Sequence, residues 1–207
     1  SSQNILSLAG VNYIVSAYKL TNTDFSFKAA ISPYPDFKFE PLLLYSNKQA
    51  RPPGYIVYNS KKMDTLEEFN TQLAGENFLE SNTLLVEDDA LKIVNSNIKL
   101  SPVHFTSRKF NEVLLETESD IDGILVLTDT NYPGWKASVD KTPVKIYIVN
   151  LVQRGILLTA GKHLVKFSFY SDAFENGKKI TVISWLIISL VMFLSSSFFR
   201  RRDFGKN

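Results

Sequence analysis

The chain reads as an α+β N-terminal unit, then an antiparallel all-β sandwich, then one transmembrane α-helix. Three observations predict this class. Helical hydrophobic periodicity is confined to the first 88 residues. From Ala90 onward, alternating strands are broken by turn residues about every eight to twelve positions, the pattern of a sandwich. Finally, the twenty residues from Ile180 to Phe199 carry no charged side chain, and Arg200, Arg201 and Arg202 follow at once. The expected divisions are 1–88, 89–177 and 178–207.

In the first unit, Val11 to Val15 reads as a buried strand after a short helical turn, and Phe25 to Ala29 begins a second strand. Ser32-Pro33-Tyr34-Pro35-Asp36 is a loop by its prolines. Leu42 to Tyr45 and Gly54 to Tyr58 bracket a connection from Asn47 to Pro53. Asp64 with Glu67 three residues on has the form of a helix N-cap, and Leu66, Phe69 and Leu73 line one face of that helix. Gly75 ends it, and Thr83 to Val86 returns as a strand.

In the second unit, Phe110, Glu112, Leu114 and Glu116 face away from Asn111, Val113, Leu115 and Thr117. Asp120-Ile121-Asp122-Gly123 is expected to form a hairpin turn into Ile124 to Leu127. Tyr132-Pro133-Gly134-Trp135 fits a type II turn, with proline fixing the first central φ and glycine supplying the positive one. Thr159-Ala160-Gly161-Lys162 is expected to close another hairpin, after which Val165, Phe167 and Phe169 share a face. The last strand is expected to continue from Ser171 to Gly177.

Twenty helical residues span about 30 Å, the thickness of a hydrocarbon core. Trp185 near one end and Phe198, Phe199 and Arg200 at the other suit the two interfaces. Lys178 and Lys179 precede the helix, whereas Arg200, Arg201, Arg202 and Lys206 follow it. The positive-inside rule therefore puts the C-terminus in the cytoplasm and the polar body outside it, at the plasma (inner) membrane. A chain that starts Ser1-Ser2-Gln3 carries no export signal, so an upstream portion is expected. Cysteine is absent and only two histidines occur, which removes disulfides, thiolate metal sites and zinc clusters from consideration. A formal charge of +2 without a basic stripe argues against nucleic acid as a partner. The fifteen asparagines form no glycosylation sequon, as in a cell that does not N-glycosylate exported chains.

Four residues are candidate glycan or lipid contacts: Asp129, Tyr132, Trp135 and Arg154. Asp129, Tyr132 and Trp135 flank the Pro133-Gly134 turn, and aromatic rings beside a carboxylate are a common way to hold a sugar. The structural reading of the same residues makes Trp135 a core plug and Asp129 a tie for the turn. Arg154 lies in an otherwise apolar strand and needs an acidic partner, with Asp129 and Asp140 the natural choices. The Asp120-x-Asp122 pair copies a metal-nucleotide motif but falls where turn chemistry already explains it. Glu87, Asp88 and Asp89 lack a calcium loop and read as a solvated linker. His163 reads as a histidine satisfied by the backbone. No residue is assigned a catalytic or metal-binding role, and no cofactor is expected.

The segment from Asp122 to Ala137, with Thr128-Asp129-Thr130-Asn131-Tyr132-Pro133-Gly134-Trp135 at its centre, resembles the C-terminal region of the bacterial YfhO-like membrane proteins. Val139-Asp140, Pro143-Val144, Asn150, Arg154 and Ala160-Gly161-Lys162-His163 continue the pattern in order. The resemblance covers about residues 105–199, with looser similarity at Leu8 to Val15 and Asn47 to Val57. Two positions depart from it: Lys141 stands where a glycine is usual, implying a different hairpin turn, and Pro52-Pro53 stands where Pro-Arg is usual. The family is similar to glycosyltransferases that use a polyprenyl-phosphate sugar to decorate cell-envelope polymers. The resemblance implies that this chain is the noncatalytic extracytoplasmic domain and last helix of such an enzyme. Its partners would be the membrane, an upstream transmembrane part of the same protein, and a lipid-linked sugar or envelope glycan. The competing expectation is a single-span anchored carbohydrate-binding or protein-interaction module without catalytic activity.

Overall fold

The computed structural model describes residues 2–21, 24–32, 40–75, 77–94 and 99–203. They form a mostly β protein with three sheets and a C-terminal apolar helix. The chain divides into two compact units, Ser1–Ser168 and Phe169–Asn207. The loop expected at Ser32 to Asp36 lies, past Ser32, outside the described residues.

After a short helix, α1 (Ser2–Leu8), come β1 (Tyr13–Ser16), β2 (Phe25–Ile31) and β3 (Leu42–Asn47), which form an antiparallel sheet in the order β1-β3-β2. The strand expected to be buried here is not: Tyr13 and Val15 are more than half exposed. Among the described residues, none of this sheet belongs to the three apolar cores of the body. It is fastened through Asn47, whose Nδ2 donates to Ser7 Oγ at 3.1 Å and to the Val11 carbonyl at 3.0 Å.

Next are β4 (Gly54–Val57), β5 (Asn59–Lys62), α2 (Leu66–Ala74), β6 (Thr83–Val86), a 3-10 turn (Asp89–Leu91) and β7 (Ser101–Pro102). The cap of α2 is shifted by one residue from the expected frame. Thr65 Oγ1 accepts from the Glu68 N–H at 3.2 Å, and the Glu68 carboxylate accepts from the Asp64 N–H at 2.9 Å. Threonine thus uses the extended backbone that a cap needs, while Phe69 and Leu73 are buried and Leu66 is left exposed.

The remaining strands are β8 (His104–Lys109), β9 (Glu112–Ser119), β10 (Gly123–Thr130), β11 (Trp135–Val139), β12 (Thr142–Val144), β13 (Tyr147–Val149), β14 (Gln153–Leu158) and β15 (Gly161–Phe169). They complete a seven-stranded sheet, β5-β6-β13-β14-β10-β4-β7, and a five-stranded sheet, β12-β11-β15-β9-β8. Only β5 and β6 pair in parallel among the registered pairs of these sheets. Because β4 pairs with β10 and β6 with β13, the division expected at residue 88 runs through a sheet: the residues on both sides of it fold as one body.

Two expected hairpins are corrected by the topology. Asp120 to Asp122 leads from β9 in the five-stranded sheet to β10 in the seven-stranded one, and Thr159-Ala160 leads back from β14 to β15. Both are crossovers between sheets, and they are tied together where Ala160 N–H donates to Asp122 Oδ1 at 2.8 Å. Phe110 and Asn111 are the turn between β8 and β9 rather than strand residues, and Phe110 is fully exposed.

Period-two alternation places Ile56, Leu125, Leu127, Ile156 and Leu158 on one side of the seven-stranded sheet and Val113, Leu115, Val165 and Phe167 on the facing side of the other. These residues form one core cluster, each 4% exposed or less. A close approach fixes Gly123 there, since a Cβ would stand 2.6 Å from Ile56 Cγ2. The other side of the seven-stranded sheet carries Tyr55, Val57, Ile124, Val126 and Val149, packed with Leu84, Val86 and Leu91. Phe69 and Leu73 of α2 join Leu8, Met63, Phe78 and Leu85 in a third cluster.

The second unit is dominated by α3 (Asp172–Asp203), a helix of 32 residues. Of the segment from Ser171 to Gly177, expected as strand, Asp172 to Gly177 form its first turns, with Ser171 Oγ accepting from the Phe174 N–H at 3.2 Å just before them and a Lys178 to Glu175 ion pair at 2.7 Å in support. Its stretch Asp172–Phe193, 22 residues, is long and apolar enough to cross a membrane, and none of it is buried in the protein. The interfacial side chains expected at Phe198, Phe199 and Arg200 lie outside the described side chains.

Candidate functional site

β10 pairs regularly with β14 as far as Leu127 opposite Arg154, and pairing resumes only at Thr130 opposite Gln153. The inserted residues, Thr128 and Asp129, form a bulge, a device that re-aims a side chain at a sheet edge. Thr128 N–H is taken by the Pro53 carbonyl at 3.1 Å and Asn131 N–H by the Val152 carbonyl at 2.6 Å. Asp129 is thereby free of the ladder and accepts from two arginines. Its Oδ2 receives Arg154 Nη2 at 3.1 Å, and its Oδ1 receives Arg108 Nη2, from the opposite sheet, at 3.0 Å.

Arg154 is 2% exposed and shares the face of Ile156 and Leu158 toward the five-stranded sheet. Its guanidinium carbon lies 3.9 Å from the Trp135 ring centroid and 5.7 Å from that of Phe167. Among the described residues, Arg154 Nε and Nη1 find no hydrogen-bond acceptor, so the aromatic faces and one carboxylate carry its charge. Burial pulls the Arg154 pKa below its ordinary value; Asp129 opposes that pull and Arg108 adds to it.

Trp135 begins β11 directly after the Tyr132-Pro133-Gly134 turn. Gly134 has φ of 109° and Trp135 N–H donates to the Tyr132 carbonyl at 3.3 Å, as the turn chemistry of the sequence requires. Tyr132 is 64% exposed. It lines, with Trp135, Lys136, Pro143 and Ile146, an open groove of about 330 Å³. Three of the four candidate residues therefore join in one intersheet clasp, and Tyr132 stands outside it on the groove lip. Arg108 and Phe167 complete the clasp; the sequence marked Phe167 only as a core-facing residue and did not single out Arg108. Arg108 lies on an exposed strand position, and only the three-dimensional bulge brings Asp129 to it.

The other motifs resolve structurally. His163 Nδ1 meets Asp140 Oδ2 at 2.7 Å, and Nε2 meets the Thr159 carbonyl at 3.1 Å. The hydrogen bond that the imidazole makes to the Asp140 carboxylate raises the His163 pKa against the opposing effect of burial, and the same contact lowers that of Asp140. Asp140 is thus the histidine's partner rather than that of Arg154. Asp88 caps the 3-10 turn through Ala90 N–H at 2.9 Å and pairs with Lys145 at 2.9 Å, while Asp89 pairs with Lys62 at 2.9 Å. Among the described residues no group of three or more acidic or histidine side chains could hold a metal ion.

The clasp defines a cross-sheet structural lock with an aromatic groove beside it; its chemistry is ion pairing and stacking. No protein-family model, curated protein or solved structure matches the chain.

Proposed function

We propose that this chain is the extracytoplasmic C-terminal domain and last membrane helix of a polytopic YfhO-like membrane glycosyltransferase. In this reading, an α+β start and a β-sandwich support sugar transfer from a polyprenyl-phosphate donor to a cell-envelope polymer, without supplying the catalytic residues. The carrying observation is α3. Its unburied apolar stretch requires lipid or protein around it, and only Tyr170 and Ser171 separate it from β15. The excess of arginine and lysine after the helix favours a cytoplasmic C-terminus at the plasma membrane. The glycosyl-transfer part rests on the resemblance through Tyr132-Pro133-Gly134-Trp135. An antibody to the body tests it on native membranes: a band several times larger than 23.4 kDa is expected, and a band near 23.4 kDa overturns the polytopic parent.

One observation favours the second reading, an anchored carbohydrate-binding module. Tyr132 and Trp135 line a groove of about 330 Å³, at the small end of ligand clefts. One ring face of Trp135 is already stacked by Arg154, so Tyr132 is the residue to test. Loss of envelope-glycan binding by the intact chain on Tyr132→Ala, with unfolding unchanged, supports that module; retention of binding, or none at the start, removes it.

A further inference from the structure

The crossover from β14 to β15 brings a hydroxyl, an imidazole and a carboxylate into one line. Asp140, in the β11–β12 turn, is fixed by the backbone: its Oδ1 accepts from the Leu164 N–H at 2.9 Å. Its Oδ2 faces His163 Nδ1 at 2.7 Å. Across the ring, Nε2 lies 3.2 Å from Thr159 Oγ1. An ionised carboxylate only accepts, so Nδ1 carries a proton, and in the neutral ring Nε2 is left to accept from the Thr159 hydroxyl. When the ring is charged, its Nε2–H has another acceptor in place, the Thr159 carbonyl at 3.1 Å. Thr159 is exposed, and the His163 side chain is 14% exposed. Gly161 leaves the flank of Nε2 open, where a Cβ would stand 3.7 Å away. His163 also lines a groove of about 740 Å³ with His104, Glu116, Glu118, Lys162 and Leu164. Lys162 pairs with Glu118 at 3.2 Å, and among the described residues Glu116 keeps no ion-pair partner, so this wall suits an uncharged ligand better than an anion.

We propose that Thr159, His163 and Asp140 form an acyl-transfer site for an uncharged carboxylic ester, an activity separate from the sugar transfer proposed above and independent of it. The order of nucleophile, base and orienting group is the one such chemistry uses. His163 Nε2 takes the hydroxyl proton as Thr159 Oγ1 bonds to the ester carbon. The C–O bond of the ester breaks, its electron pair leaves with the alcohol oxygen, and that oxygen receives the proton from Nε2. Water, giving a proton to Nε2 in turn, adds to the acyl-threonine. The bond from carbon to Oγ1 then breaks, Oγ1 takes the proton back, and the carboxylic acid is released. Thr159 and His163 are the catalytic residues. Asp140 is a positioning residue that holds the tautomer and steadies the charged ring.

The test treats the full chain in nanodiscs with a fluorophosphonate, which phosphonylates activated hydroxyls, and locates the adduct by mass spectrometry. An adduct at Thr159 is expected, kept by Thr159→Ser and absent from Thr159→Val. Its rate should rise with pH through the His163 pKa, which the Asp140 contact holds above 6.5. In Asp140→Asn the rate should fall about tenfold or more, and the rise should move to lower pH, a signature that a merely structural carboxylate would not give. p-Nitrophenyl acetate should be hydrolysed by the same variants in the same order. No adduct at Thr159, or a rate there no higher than at the exposed Thr142, overturns the site. A rate that Asp140→Asn leaves unchanged overturns the role of the pair. Should that variant fail to fold, the unaltered chain decides: a rate at Thr159 independent of pH overturns His163 as the base.

Discussion

Replacing Asp129 by asparagine is the sharpest probe of the clasp. The substitution keeps shape and some hydrogen bonding but leaves the Arg154 guanidinium, 2% exposed and already without acceptors at Nε and Nη1, with no counter-charge. Stranding one partner of a buried pair costs about 3 to 5 kcal/mol. Asp129 itself is 38% exposed, so solvent screens part of the lost attraction, and the expected cost is about 2 to 3 kcal/mol. For a body of this size that lowers Tm by about 4 to 12 °C. Arg154→Met behaves differently: it fills the space with an uncharged chain and leaves Asp129 paired with Arg108, so its cost is about 1 kcal/mol. In the Arg154→Met background, Asp129→Asn then costs less than about 1 kcal/mol, which gives a coupling near 2 kcal/mol. Trp135 reports on the clasp by its fluorescence once Trp185 is changed to phenylalanine, since the chain has two tryptophans. Denaturant unfolding of the full chain in nanodiscs gives all four corners of the cycle. A cost below about 0.5 kcal/mol for Asp129→Asn, the range of an ordinary surface substitution, refutes the buried-charge argument.

Lys141, with φ of 71°, and Asp140, with φ of 49°, are the two central residues of the β11–β12 turn, which therefore keeps the left-handed geometry that a glycine would favour. Lys141→Gly should raise stability by about 0.5 to 1 kcal/mol, readable as a shift of the unfolding midpoint at constant slope. Asn150→Ala should cost about 2 to 3 kcal/mol in the same assay. It strips the buried Leu85 N–H of its 3.1 Å side-chain acceptor and Gln153 of its 2.9 Å donor, at a position with φ of 46°. The His163–Asp140 contact predicts a pH window. The folded His163 pKa lies above 6.5, so its contribution is complete below pH 6.5 and is lost as pH rises through the raised value; the folded Asp140 pKa lies below 3.8, so its contribution is complete above pH 3.8 and is lost as pH falls through the lowered value. Stability measured across pH should show both limbs, and Asp140→Asn, which tolerates the left-handed turn, should flatten both.

Local chemistry made much of the fold legible. Proline and glycine announced the Tyr132 to Trp135 turn, alternation marked Val165 and Phe167 for the core, and the uncharged run marked the helix. Arg154 was legible as a buried charge because Val152 and Ile156 flank it, and its partner was one of the two acids named. Sheet membership was not legible. Asp120-Ile121-Asp122-Gly123 and Thr159-Ala160 have turn composition whether the chain returns beside itself or passes to a facing sheet, since both need the same reversal. The break placed at residue 88 failed for the same reason: nothing local says that β4 will pair with a strand about seventy residues later. Arg108 escaped notice because its role depends on a bulge in another strand. The exposed side of β1 looked like core because sequence pattern reports apolarity and not what lies opposite.

The position of β15 bears on how the protein is made. It is the last strand of the body in the chain and the central one of its sheet, lying between β9 and β11. Until it is synthesised, β9 and β11 have no common neighbour, and the core around Phe167 cannot close. Two residues later α3 begins. The last strand that closes the core and the long apolar helix are therefore synthesised in immediate succession, so the body completes its sheet only as that helix is being made.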